Sequence, residues 1–454
     1  SPHLHPANRI ARRFSGGGVI RKVRNALPDG TLTVAVGLVV AGLASYVYIA
    51  LVGRSLDEEH AASVLACWFL VYTFGPGCFM PLEQEIGRAL AARRVTGAPA
   101  WPVVGQAARL GALGAGVLVL AGLIAAPVLL HVLDGSALLV VATLLGLVGY
   151  AVAHVARGSL AGVGRFDSYA WLIAVEALFK VAFVGVVLAL GVRDVGWIGL
   201  PIGLAPFVAV AWAVRDRPVR RSADPLAPVA EVSTSLAVLL AGSLLSLVQL
   251  NLGPLAASVL AGEAQRADAG RFSKIFVVSR IPVFFFQALQ ASLLPKLANL
   301  AGQGRHRDFR SGLTRVAGVV AVVAASAIVG AALLGPWAVK VMFGSDIDVT
   351  RLDIALLAAA AGGYMLAVTL SQALVALGAL GRSALGWLPG LFVFVVVALP
   401  IHDLHSRVAW GLVADVSVSC VVFAGLLASR LRGPDVPATA DSLVDAIEHE
   451  YLEP

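Results

Sequence analysis

The stretch VAGVVAVVAASAIVGAALL, Val316 to Leu334, contains no charged residue, and Ser326 is its only hydrogen-bonding side chain. As a helix rising about 1.5 Å per residue it would be roughly 28 Å long, close to the ~30 Å hydrocarbon core of a bilayer. It lacks the alternation of a barrel strand, and a bilayer offers its backbone no water to bond, so it reads as a membrane-spanning helix. Similar stretches surround it: Thr31 to Val52, Ala62 to Met80, Leu110 to Leu130, Ala137 to Ala156, Tyr169 to Leu190, Val195 to Val214, Thr234 to Ala261, Phe272 to Leu294, Ile354 to Leu377, Ala384 to Ile401 and Val408 to Leu426, twelve spans with the first. Composition agrees: the 454 residues are 59% hydrophobic and 13% charged, against about 25% charged in globular chains. A soluble fold this apolar could not cover its surface. Cys67, Cys78 and Cys420 all lie inside spans with no CxxC, so neither a disulfide framework nor a zinc site is encoded.

The formal charge of +7 invites a nucleic-acid reading until it is sorted by depth. With the N-terminus cytoplasmic, 24 of the 34 basic residues fall on the cytoplasmic side, 7 outside and 3 within spans. That is the positive-inside pattern. The excess orients the chain in a cytoplasmic membrane with both termini inside, and nucleic acid is not an expected partner. Arginines concentrate in an arm (1–30) and in loops such as Arg215, Arg217, Arg220 and Arg221. The tail, 430–454, is acidic.

Six spans return the chain to its starting side, so a duplicated six-span unit gives two parallel halves. Leu160 and Gly164 in LAGVGRF match Leu374 and Gly378 in LVALGALGR, and Trp197 matches Trp410, at offsets near 213. The expected fold is therefore all-α and polytopic, with an N-lobe (31–214), a cytosolic linker (215–232) and a C-lobe (233–429) around a central cavity.

Charges inside spans are costly and point to function. Five occur: Glu176 and Lys180 in span five, Lys274 and Arg280 in span eight, and Asp415 in span twelve. Glu176 and Lys180 are spaced to neutralise each other; with Asp415 they are also the candidates for coupling to H+ or Na+ and for gating. In span eight, Ser273, Arg280 and Gln287 recur every seven residues as one polar stripe, and span seven adds Ser243, Ser246, Gln249 and Asn251. These two helices are expected to line a wet cavity into which Lys274 and Arg280 bring positive charge with no acid on either helix. Such a cavity suits an anion, and arginine in particular suits phosphate.

No GxxxxGK[ST], GxSxG or HExxH is present, so nothing points to an enzyme or a P-loop motor. His402, Asp403 and His405 read as solvated polar residues, and no metal site or cofactor is expected. Asp57, Glu58 and Glu59 lie in the first external loop, where polyprenyl-dependent glycosyltransferases place acids, but the loops are too short for such an enzyme.

Two stretches carry a resemblance: RGSLAGVGRF (Arg157 to Phe166), and AGRFSKIFVVSRIPVFFFQALQASLLPKLANLAGQGR (Ala269 to Arg305) with its Arg-Ile-Pro and Pro-Lys-Leu. In these the chain resembles the polysaccharide-transporter branch of the multidrug, oligosaccharidyl-lipid and polysaccharide flippase superfamily. The resemblance implies a flippase moving a polyprenyl-(di)phosphate-linked glycan between leaflets, with membrane lipid and cell-envelope glycan biosynthesis proteins as partners. It implies a cavity between helices one, two, seven and eight, where Tyr46 and Tyr72 would join Arg280, Lys274, Gln287, Ser273, Gln249 and Ser246 in binding substrate. The drug-exporter branch often uses cavity acids, and spans one, two, seven and eight hold none. A major-facilitator transporter is the other alternative: GRALAARRVTG (Gly87 to Gly97) partly matches its loop pattern but lacks the Asp.

Overall fold

The computed structural model describes residues 31–215, 224–232, 235–283, 286, 297, 299–344 and 350–432. All regular structure there is helical, and eleven helices are long and apolar enough to cross a membrane. The arm (1–30), most of the tail and the second half of span eight, Gln287 included, lie outside the described residues.

The N-lobe contains α1 (Thr31–Ser55), α2 (Glu58–Thr96), α3 (Trp101–Ile124), α4 (Ala137–Gly162), α5 (Phe166–Ala189) and α6 (Val195–Val214). The C-lobe contains α7 (Leu236–Leu260), α8 (Arg266–Ser279), α9 (His306–Phe343), α10 (Arg351–Ala376), α11 (Leu388–Ala398) and α12 (Leu404–Arg432).

Local chemistry sets the ends. Asp57 caps α2 by accepting from the His60 N–H at 2.9 Å, the favoured role of Asp at this position. Gly97, at φ 69°, closes the same helix in the left-handed conformation glycine adopts without a Cβ penalty. Both α2 and α9 outrun the spans expected for them. Hydropathy falls where Glu83 and Arg88, or Arg307 and Arg310, appear, but neither charge nor solvent breaks a helix, which continues until a left-handed glycine ends it.

Packing repeats between lobes. Within the N-lobe α1 packs on α5, α2 and α3 on α4, and α4 and α5 on α6; the C-lobe repeats all but the first of these, with α8 and α9 on α10 and with α10 and α11 on α12. The lobes meet along α2 and α7. They also meet firmly at the end of the bundle bearing the α1–α2 connection. Here Lys274 Nζ lies 2.8 Å from Glu58 Oε2 and donates to the Gly53 carbonyl at 3.0 Å. Arg266 pairs with Asp134 at 2.6 Å, and Arg54 donates to the Met342 carbonyl at 3.0 Å. Gly270 makes this approach possible, because a Cβ there would collide with the Glu58 carbonyl.

At the opposite end the linker is docked. Ala227 N–H donates to the Pro102 carbonyl at 3.0 Å, and Arg93 grips both Glu231 oxygens at 2.5 and 2.9 Å. Ala227 and Val232 join Ile86, Leu90 and Val103 in a small apolar cluster. The linker's second half is therefore fastened to the N-lobe.

Candidate functional site

A cavity of about 660 Å³ lies between the lobes, bounded by α1, α2, α4, α5, α7 and α8. Along α2 it runs from Trp68 to Gln84, about 24 Å of helix rise. It thus sits on the α2–α3 side of the closure made by Glu58 and Lys274. Tyr72, Pro76, Met80 and Glu83 of α2 all line it, at the spacing of one helical face.

The N-lobe wall is charged, and its charges answer one another. Glu176 accepts from Tyr150 Oη at 2.6 Å, Arg157 Nη2 at 2.5 Å and Lys180 Nζ at 3.0 Å. Lys180, 1% exposed, also donates to Tyr72 Oη at 2.5 Å and lies 5.4 Å from the centre of the Trp68 ring. Nearer the α2–α3 end, Glu83 meets His154 Nδ1 at 2.6 Å and accepts from Tyr169 Oη at 2.7 Å. Two carboxylates, Glu83 and Glu176, thus face Arg157, Lys180 and the His154 ring. Tyr48, Trp68 and Tyr72 stack along it, with centroids 5.1 and 4.2 Å apart.

The C-lobe wall presents Arg280. Its Nη1 donates to Asn251 Oδ1 at 2.8 Å, and its guanidinium lies 5.0 Å from the Phe276 ring centre. Among the described residues no carboxylate comes within ion-pair distance of it. Arg280 sits where α8 breaks, one residue after the last helical position and two before Pro282, which lacks a backbone N–H and clashes with the preceding turn. Arg280 thus stands at the break as a cation at the cavity surface.

Placement divides the expected site residues. Arg280, Tyr46, Tyr72 and Glu176 line the cavity. Lys274 does not: it is held by Glu58 and Gly53 in the interlobe closure. The expected pair of cavity cations is thus corrected to one, because α2 begins early enough to bring an acid to Lys274. Ser273 is buried outside the cavity lining, its hydroxyl without a hydrogen-bond partner among the described residues, so it and Arg280 do not share the cavity. Gln249 also faces away, donating to Asp415 and, at 2.8 Å, to Ser419 Oγ, while Ser246 meets Tyr364 Oη at 3.1 Å. Asp415 is fully buried in the C-lobe. His405 bonds the Asp268 carbonyl and Asp403 caps Ser406.

Sequence reasoning missed Glu83, His154 and Arg157, and with them the participation of α4 and α5. Ending span two at Met80 placed Glu83 in a loop and left the cavity without acids, which the structure corrects. A signal was available: Tyr150, His154 and Arg157 are spaced i, i+4, i+7, one face of an otherwise apolar helix.

No family model matches the chain. The uncharacterized protein Rv1510 of Mycobacterium tuberculosis is 25% identical over 294 residues, 63% of this chain and 65% of that protein. A second uncharacterized protein of the same organism, Rv3630, is 26% identical over 252 residues, 54% of this chain and 56% of its own length. The chain thus spans under two thirds of the curated relatives it matches. Solved structures extend further. A multidrug resistance MATE family transporter of the MOP superfamily, in an inward-facing conformation, superposes with a TM-score of 0.68 over 91% of this chain and 96% of that one, at 13% identity. An outward-facing conformation of such a transporter gives 0.64 over 88% and 95%, at 12% identity. A eukaryotic MATE transporter gives 0.62 over 89% and 96%, at 14%. The fold is that of the MATE transporters.

Proposed function

We propose that this chain is an alternating-access transporter of the cytoplasmic membrane, not an enzyme, and that its cargo is an amphiphile with a phosphate-bearing head, a polyprenyl-(di)phosphate-linked glycan. The observation that carries this reading is Arg280: a cation at the cavity surface whose described partners are the neutral Asn251 and Phe276. Desolvated arginine needs acceptors, and a phosphate offers its planar fork a bidentate partner. The carboxylates of the opposite wall already have partners, so the positive charge of Arg280 is left for an anionic ligand. Its volume lies within the roughly 300–1,000 Å³ of sites for drug-sized molecules. That suits a head group of a few sugars whose prenyl tail stays in lipid.

Under the positive-inside assignment the α1–α2 end is external and closed, and the cavity lies towards the cytoplasm. The structure is then an inward-facing state. Asp415, whose Oδ2 has no hydrogen-bond partner among the described residues, is proposed for H+ or Na+ coupling ahead of the paired Glu176 and Lys180. Cell-envelope glycan biosynthesis proteins are the partners that would supply such a cargo.

Glu83 and Glu176 in the cavity favour a second reading, export of an organic cation, which would have to displace Arg157, Lys180 or His154 from them. Proteoliposomes separate the two. Protein-dependent transfer of prenyl-diphosphate-linked N-acetylglucosamine between leaflets is expected. Transfer at the protein-free rate, with ethidium moved instead, would overturn the first reading in favour of the second.

A further inference from the structure

Arg280 is one end of a hydrogen-bonded chain that crosses the lobe boundary. Thr73 Oγ1 of α2 donates its only hydrogen to the Phe69 carbonyl at 2.6 Å. The same oxygen is then left as an acceptor, and Asn251 Nδ2 of α7 donates to it at 2.8 Å. This turns Asn251 Oδ1 towards Arg280, which donates to it at 2.8 Å. The amide orientation is required from both sides: a guanidinium can only donate, and a hydroxyl whose hydrogen is committed can only accept. Thr73 and Asn251 are 0% and 5% exposed, so water does not compete for these bonds.

Residue type matters as much as geometry. An aspartate at 251 would aim Arg280 equally well but would cancel its charge. The amide directs the guanidinium and leaves its charge available to a ligand. Backbone weak points flank the crossing bond: Gly75-Pro76-Gly77 follows Thr73 in α2, and Gly253-Pro254 follows Asn251 in α7. Each proline removes one helical hydrogen bond within a turn of the seam.

We propose that Asn251 is a positioning residue that aims Arg280 at an anionic head group, and that its bond to Thr73 ties this aim to the closed α2–α7 seam. When the lobes part along that seam, Asn251 loses Thr73, the amide is free to turn, and the grip on the anion loosens. Binding and release are thereby coupled to lobe movement. This inference rests on the anionic-cargo reading.

The test uses the full chain in lipid nanodiscs with two probes sharing one tail, geranylgeranyl diphosphate and the uncharged geranylgeraniol. Trp68, in the cavity wall, reports binding by fluorescence. Wild type should prefer the diphosphate, and Arg280→Ala should lose that preference. Asn251→Asp should lower diphosphate affinity about ten-fold with the alcohol unchanged. Asn251→Leu gives the same reading without an added charge. Thr73→Val should weaken the diphosphate several-fold, whereas Thr73→Ser, which keeps the acceptor, should match wild type; a merely steric role for Thr73 would give the reverse order, because valine keeps the volume of threonine and serine does not. Wild-type diphosphate affinity in Asn251→Asp, Asn251→Leu and Thr73→Val, alongside loss in Arg280→Ala, would overturn the inference and spare the anionic reading. A wild type indifferent to the diphosphate would overturn both.

Discussion

The two walls of the cavity hold charge in opposite ways. On the N-lobe side Glu176 is surrounded by Arg157, Lys180 and Tyr150 within 3.0 Å, whereas on the C-lobe side Arg280 meets a neutral amide and a ring face. A charge inside a membrane is expensive wherever it lies, so the partners decide what it is for. The satisfied cluster joins α2, α4 and α5; the arginine, with no carboxylate partner among the described residues, is the one proposed to meet a ligand. Stability and binding should therefore separate between the walls when each is altered.

The largest expected effect is on the satisfied wall. Glu176→Ala strands Arg157 and Lys180 without their shared carboxylate, which should lower stability by about 3–5 kcal/mol, read as a fall in unfolding temperature in detergent. An unchanged unfolding temperature would break the comparison. Next, Arg280→Ala should weaken prenyl-diphosphate binding by roughly 10–100-fold with little change in unfolding temperature, and Arg280→Lys should fall between. The reverse result, wild-type binding with lost stability, would place Arg280 in the structural class.

A third test asks whether the closed end behaves like the satisfied wall. Glu58→Lys should open it by setting like charges together. A cysteine at Ser45 in the cavity would then react with an impermeant maleimide added from the α1–α2 side, in a chain freed of its native cysteines. Adding Lys274→Glu should restore protection, at a coupling of about 1–3 kcal/mol; no restoration would mean that the pair does not hold the lobes. Smallest is the linker clasp. The Arg93 guanidinium bonded to Glu231 holds that carboxyl below its usual range. Its contribution is therefore present above the unfolded glutamate value of about 4.3 and is lost as pH falls through the lower folded value. Linker proteolysis should rise over that acidic window in wild type and be insensitive to it in Glu231→Gln.

Comparing the walls also shows what the sequence could reveal. Apolar length located the spanning helices, because bilayer thickness imposes it, and loop arginines gave an orientation to propose. Arg280 was legible, since a deep cation cannot easily escape to the surface. Hydropathy located charges but not their partners. Lys274 looked unpaired because Glu58 is distant in sequence and counted as loop, and Glu83 looked solvated because α2 runs past the apolar stretch. Whether a buried charge is met depends on contacts such as the approach of α8 to α2 at Gly270, which no single helix encodes.

The continuity of α2 has a mechanical consequence. Its 39 residues make a rod of about 58 Å with Glu58 at one end, Tyr72 and Glu83 lining the cavity, and Arg93 clasping the linker at the other. Pivoting about its middle by roughly 10°, such a rod would carry its two ends about 5 Å in opposite directions. On the proposed alternating-access reading, and with Gly75-Pro76-Gly77 at its middle held straight, parting Glu58 from Lys274 would swing Arg93 and the linker the other way, and one mouth of the cavity would close as the other opened.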